Sequence, residues 1–322
     1  MNRLRTRVTT QLLTRRALAF KRHLRAAVEG DGHGVHQARV ASRRLREAVP
    51  VLATGLKGSK AGKARRKIRR IAQALGSIRE LDVTLGLIDE LAARNTLPRL
   101  ALEEVRSRVV KDQERRRRVM LKRVGRINID KLDRRLRSVG EALQSAETDG
   151  WRETLAARLL KRSKTLAAAI ESAGGLYEQE RLHRVRIAAK KLRYAMELAA
   201  ESGARSAIVP VRTIKRVQDT LGRLHDLQVV QGYVSASQAA PSTRTPQDIG
   251  LEVIARMLED ECRHLHARYL SSVPSVHHLI ETTRTVIVPQ IARQRPRPLK
   301  MNLSSKRRES HQALAAAAGH AK

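Results

Sequence analysis

Apolar residues return every three or four positions along most of this chain. Ala38, Ala41, Leu45, Val49 and Leu52 do so in one segment, Ala64, Ile68, Ile71 and Leu75 in a second, and Val185, Ala188, Leu192 and Met196 in a third. That spacing is the period of an amphipathic helix, not the two-residue alternation of a half-buried strand. Ala, Leu, Arg, Glu and Gln, all strong helix formers, dominate the segments. No hairpin dipeptide separates alternating apolar runs, so no sheet is predicted. Turn residues cluster at Gly30 to Gly34, Gly55 to Gly62, Asn95 to Pro98, Thr148 to Gly150, Gly174 and Gly175, Ser202 and Gly203, and Ser235 to Pro246. They leave about eight long helical segments, and the chain is expected to be all-α.

Two segments match. Residues 35–46 and residues 182–193 both read His-x-x-Arg-Val/Ile-x-x-basic-basic-Leu-Arg, 147 positions apart. A second pair follows at nearly the same offset, Leu75-Gly76 through Val83 against Leu221-Gly222 through Val229. Two matched pairs in the same order indicate an internal duplication. The predicted half-repeats are 1–148 and 149–295, each plausible as a four-helix bundle of about four helices, followed by a tail at 296–322.

Helical geometry places the parts of the motif. At about 100° per residue, with His36 at zero, Arg39, Arg43 and Arg46 fall within a stripe roughly 80° wide. The apolar positions lie on the opposite face. His183, Arg186, Lys190 and Arg193 repeat the stripe. Neither Arg39 nor Arg186 has an acid four residues on, so each stripe repels itself by ~0.2–0.5 kcal/mol per pair. A partner outside the chain is the natural relief. Arginine offers a planar fork suited to phosphate oxygens, lysine a point charge, and histidine a donor that gains charge beside an anion.

Charge enlarges this picture. The chain carries 66 Lys and Arg against 31 Asp and Glu, a net charge of +35. Such single-sign charge opposes a compact state and attracts polyanions. Aromatic residues make up 2% of the chain, too few for the repeated base-stacking platforms of RNA readers. The single cysteine, Cys262, excludes a disulfide framework and a Cys-rich zinc site, and fits a reducing compartment. No run of ~18 uncharged apolar residues is present to span a membrane. The acid-free start of the chain is expected to be a first amphipathic helix, not a targeting segment.

The motif blocks resemble the CHAD family, the conserved histidine α-helical domain. The likeness rests on His36, Arg39, Val40, Arg43, Arg44 and Arg46, then Leu75, Gly76, Arg79, Asp82 and Val83. In the second half it rests on His183, Arg186, Ile187, Lys190, Lys191, Leu192, Arg193 and Tyr194, with Gln218, Leu221, Gly222 and Asp226. It covers roughly residues 1–295 as one duplicated domain. The resemblance implies two pseudo-symmetric four-helix bundles flanking a basic channel, and non-catalytic binding of inorganic polyphosphate by that channel. The residues it implies as contacts are His36, Arg39, Arg43, Arg46, His183, Arg186, Lys190 and Arg193, then Arg44, Lys191 and Arg79, with Arg70, Lys215 and Arg216 further out. Glu80 stands where the family usually has Asp. The strand motif of the CYTH triphosphatase domain found fused to some members is missing here. The nearest stretch, Glu259-Asp260-Glu261-Cys262-Arg263, ends in Arg and sits in a helical segment.

Other signals are expected to be structural. Gly30-Asp31-Gly32-His33-Gly34 follows a helix and lacks a P-loop ending, so it reads as a turn. The histidine pairs 33 and 36, 264 and 266, and 277 and 278 lack a completing ligand, so no metal or other cofactor is expected. Arg79 and Asp82 are expected to pair at i, i+3, and Gly76 and Gly222 to permit close helix approach. Arg115 to Arg118 reads as a solvated face, and the tail from Arg295 to Lys322 as flexible. The expected function is polyphosphate binding in the cytoplasm, at polyphosphate-containing granules. Nucleic-acid binding and an accessory role in polyphosphate or triphosphate hydrolysis are the alternatives.

Overall fold

The computed structural model describes residues 2–56, 60–94, 96–145, 150–239 and 246–293. The tail at 296–322, and the boundary between the predicted half-repeats at residue 148, lie outside the described residues. The helices are α1 (Asn2–Val28), α2 (Gly32–Leu52), α3 (Lys60–Ala74), α4 (Gly76–Ala93), α5 (Arg99–Gly125), α6 (Ile129–Ser145), α7 (Trp151–Ala173), α8 (Gln179–Glu201), α9 (Ile208–Gln238), α10 (Pro246–Thr282) and α11 (Val288–Arg293). A 3-10 turn precedes α9, and a π-helical stretch, Thr283–Ile287, joins α10 to α11. No strand forms among the described residues. The all-α expectation holds.

Local chemistry sets the helix ends. The Asp31 carboxylate accepts from the backbone N–H groups of His33 and Gly34 at 2.9 and 2.8 Å, an N-cap that starts α2. Gly30 turns the chain with φ 93°. A Cβ at Gly34 would stand 2.7 Å from the Ala26 Cβ, so glycine lets α1 and α2 close together here. The glycine-rich segment is thus a capped turn, as expected. Asn128 accepts from the Lys131 N–H at 2.6 Å at the start of α6.

The two halves are built differently in detail. The first half breaks between α3 and α4 at Leu75, whereas α9 runs unbroken through the matching Leu221 and Gly222. The core is also shared between them. One apolar cluster gathers α1, α2, α3 and α6 with α7, α8, the first part of α9 and the last part of α10. A second, smaller cluster takes Leu81, Ile88 and Leu91 from α4, Val105 and Val109 from α5, Leu227 and Val230 from α9, and Ile254 and Leu258 from α10. Each core therefore draws helices from both halves. The apolar face read from α2 is buried as predicted, with Ala38, Leu45 and Leu52 at zero exposure. Burying one such leucine stabilises the fold by ~1.5–3 kcal/mol.

Ion pairs reinforce this interleaving. Glu201 of α8 takes Arg15 at 2.9 Å and Arg16 at 3.1 Å, both from α1. Glu47 of α2 takes Arg158 and Arg162 of α7 at 3.0 and 3.7 Å. Arg223 of α9 grips Glu90 of α4 with both nitrogens, at 2.7 and 2.8 Å. Each carboxylate receives at least one arginine from the other half of the chain, so part of the positive excess holds the two halves together.

Candidate functional site

Helices α2 and α8 pack against each other. Their inner faces put Arg39 and Arg43 of α2 close enough to Arg186 and Lys190 of α8 for the four charges to act on one another. All four side chains are partly buried. Burial and the neighbouring cations push the Arg39 guanidinium down to about 10, which leaves it charged at neutral pH. Burial, then Arg186, Arg43 and Arg39, push the Lys190 amine down to about 6. Arg186 is depressed mainly by burial, with Asp226 acting the other way.

Among the described residues, none of these four cations has a carboxylate within ion-pair distance. Arg39 donates instead to the Gly76 carbonyl at the α3–α4 break. The buried Nε of Arg186 meets no acceptor among the described residues. A buried donor left unmatched costs about 1–3 kcal/mol, so this site is expensive as it stands.

Two carboxylates sit near the cluster without neutralising it. Glu80 of α4 lies 3.5 Å from His225 Nε2 and 3.9 Å from Arg116, and its hydrogen bond with His225 holds its carboxyl below the usual range. Asp226 of α9 lies near Arg186 and Lys190, yet burial raises its carboxyl despite them. The pair differ because Glu80 has a direct histidine partner and Asp226 has none among the described residues.

Histidines close both ends. His36 lies near Arg79 and Arg39, and burial followed by Arg79 lowers it. His183 packs against His225 with centroids 5.1 Å apart, and burial followed by His225 lowers it. Arg46 continues the stripe toward Arg69 and Arg65 of α3, with burial and those cations depressing it. The cluster is a partly buried run of cations and histidines, short of negative charge.

The structure thus brings together His36, Arg39, Arg43, Arg79, His183, Arg186 and Lys190, with Arg46 at one edge. It places four predicted residues elsewhere. Arg44 Nε lies 2.8 Å from Glu197, and Arg193 reaches the same carboxylate at 3.6 Å while stacking over Tyr194 at 5.0 Å. Lys191 is exposed on the outer flank of α8. Arg70 lines a different cleft, beside Lys67. Two structural expectations are corrected. Asp82 accepts from the Gln113 amide at 2.8 Å, from α5, and forms no ion pair with Arg79. Gly222 has open space where a Cβ would stand, and Gly76 has only the Arg39 side chain nearby. Neither glycine marks a close helix approach. The Arg115 to Arg118 face is solvated as expected, with Arg115, Arg117 and Arg118 exposed, and Arg115 and Arg116 also pair with Asp112.

Sequence reasoning missed Glu80 and His225 as members of the site. The signal was present: both fall in the matched Leu-Gly blocks, where Glu80 aligns with Asp226. Among the described residues, no group of three or more His, Cys, Asp or Glu side chains is placed to hold a metal. No described helix is long and apolar enough to cross a membrane.

The CHAD domain model matches residues 11–235. Among solved structures, the chain is similar to the CHAD domain from the plant Ricinus communis, with 20% identity, 86% of this chain and 91% of that chain covered, and a TM-score of 0.58. It is also similar to PptA from Streptomyces chartreusis, with 16% identity, 84% and 99% coverage, and a TM-score of 0.61. No curated protein matches the sequence. A match over well more than half of the chain, together with the same helical fold, settles the family: this chain belongs to the CHAD domain family.

Proposed function

We propose that the α2–α8 cluster binds inorganic polyphosphate, without catalysis, through Arg39, Arg43, Arg186 and Lys190, with His36, Arg79, His183 and Arg46 extending the track. The CHAD family is associated with polyphosphate and triphosphate binding. The observation that carries the reading is the convergence of three partly buried arginines and Lys190, an amine that gains charge beside an anion, from two helices with no carboxylate within ion-pair distance among the described residues. A linear phosphate chain supplies dense charge and many acceptor oxygens, and no base that needs an aromatic partner. Phosphate oxygens would accept from the Arg186 Nε that no described group meets. The ten or so ångströms of helix from Arg39 to Arg46, at ~1.5 Å per residue, suit successive phosphoryl groups. Location at polyphosphate granules follows as part of this proposal.

Competition at fixed salt tests it. Long-chain polyphosphate is expected to displace duplex DNA from the protein, with the reverse needing large excess. Equal competition per phosphate would show a nonspecific polyanion binder and overturn the specific-track reading.

A further inference from the structure

Helix α3 carries cations on both flanks of its buried stripe. Set Lys60 at zero and about 100° per residue: Arg65 and Arg69 fall near 140–180°, on the flank that meets Arg46 of α2. Lys67 and Arg70 fall near 280–340°, on the opposite flank. There they line a cleft of about 310 Å³ with Arg123 and Arg126 at the end of α5. Its floor is apolar, with Ile71 fully buried, Ala74 nearly so and Ile127 partly so.

The charge in this cleft exceeds what the fold requires. The C-terminal end of α5 carries roughly half a negative charge, enough to favour one nearby cation. Four converge, and no carboxylate lines the cleft. Elsewhere on α5 five arginines have carboxylate partners, Arg99 with Glu103, Arg106 with Asp89, Arg108 with Glu104, and Arg115 and Arg116 with Asp112, while Arg117 donates to the Gly30 carbonyl. Among the described residues, Lys67, Arg70, Arg123 and Arg126 form no ion pair. The low-dielectric floor strengthens any charge held above it.

We infer that this cleft is a second anion site, separate from the α2–α8 cluster, that takes a short run of phosphoryl groups. The occupant is either a free oligophosphate or a distal segment of a chain held in the α2–α8 track; only the second source rests on the function proposed above. A cleft of this size lies at the lower end of the range for small-ligand sites.

The experiment is calorimetric titration of tripolyphosphate into the full chain at fixed salt. It compares wild type, Arg70→Ser/Arg126→Ser in the cleft, and Arg43→Ser/Lys190→Ser in the track. Arg70 and Arg126 are exposed, so the cleft variant is expected to fold, with an unchanged melting temperature as the check. Wild type is expected to show two binding phases, and the cleft variant to weaken one of them by about tenfold or more. An isotherm for the cleft variant that superimposes on wild type overturns the second site. Loss of all binding in the track variant overturns it as well and leaves the proposed function standing. A track variant identical to wild type, beside a weakened cleft variant, supports the second site and refutes the proposed function. Long-chain polyphosphate then separates the sources. A larger loss for the long chain than for tripolyphosphate identifies the cleft as holding a distal segment, and an equal or smaller loss identifies free oligophosphate.

Discussion

The Arg44 guanidinium of α2 lies 2.8 Å from the Glu197 carboxylate of α8, although the two are far apart in sequence. Burial works against its charge, but the Glu197 hydrogen bond and charge raise it overall. Its neighbour Arg43 turns to the other side of α2 and joins Arg39, Arg186 and Lys190. Adjacent arginines thus have different tasks. One fastens two halves of the chain, and one belongs to the anion track.

Breaking such a fastening should lower stability without touching the track. Glu47 is the most enclosed of these acids, held by Arg158 and Arg162. Glu47→Gln is expected to cost about 1–3 kcal/mol, the partial exposure of both arginines keeping it from being larger. Urea unfolding measures this, and polyphosphate affinity should be unchanged.

Closing the space at Gly34 should also destabilise. A methyl group there would meet the Ala26 Cβ at 2.7 Å and the α1 backbone at 2.9 Å. Backbone cannot swing aside as a side chain can. Gly34→Ala is expected to cost about 1–3 kcal/mol, read as a lower denaturation midpoint.

Polyphosphate binding should take up protons. Burial and neighbouring cations hold Lys190 at about 6 against an ordinary 10.5, and burial holds His36 and His183 below their ordinary value. A bound polyanion favours the charged forms and returns these groups upward. Affinity is therefore expected to strengthen as pH falls from about 10 to about 6. It levels off once Lys190 is protonated in the free protein. The free protein has the opposite sign. Its folded Lys190 is depressed, so the resulting penalty is full below about 6 and fades as pH rises toward 10.5. Titration at several pH values in buffers of different ionisation heat measures the proton uptake. An affinity independent of pH between 6 and 9 would mean that Lys190 is already charged in the free protein.

Bound polyphosphate should stabilise the native state. A ligand that binds only the folded chain contributes ~2.7 kcal/mol at a hundredfold excess over Kd. Thermal unfolding with and without long-chain polyphosphate checks this. A melting temperature that does not move would place binding on the unfolded chain as much as the folded one.

Much of this was legible in the sequence because helices advertise themselves locally. The three- and four-residue spacing gave the buried face of α2, and the same arithmetic gave the cation stripes. The ion-pair partners were not legible in that way. Glu197, Glu201 and Glu47 reach arginines from the other half of the chain, and spacing rules see only neighbours three or four residues apart. Arg79 and Asp82 illustrate the limit. Their spacing suited a local pair, but Gln113 of another helix took the carboxylate. The shared cores have the same origin, since periodicity shows which face is apolar and not which helix covers it.

The direct test of the central claim separates placed charge from total charge. Long-chain polyphosphate affinity is measured at fixed salt for wild type, for Arg43→Ser/Lys190→Ser, and for Arg184→Ser/Arg268→Ser, which removes two cations from exposed positions. The track variant is expected to lose about tenfold or more, and the surface variant only a small fraction of that. Equal losses in the two variants would show that bulk charge holds the anion, and would contradict a built track between α2 and α8.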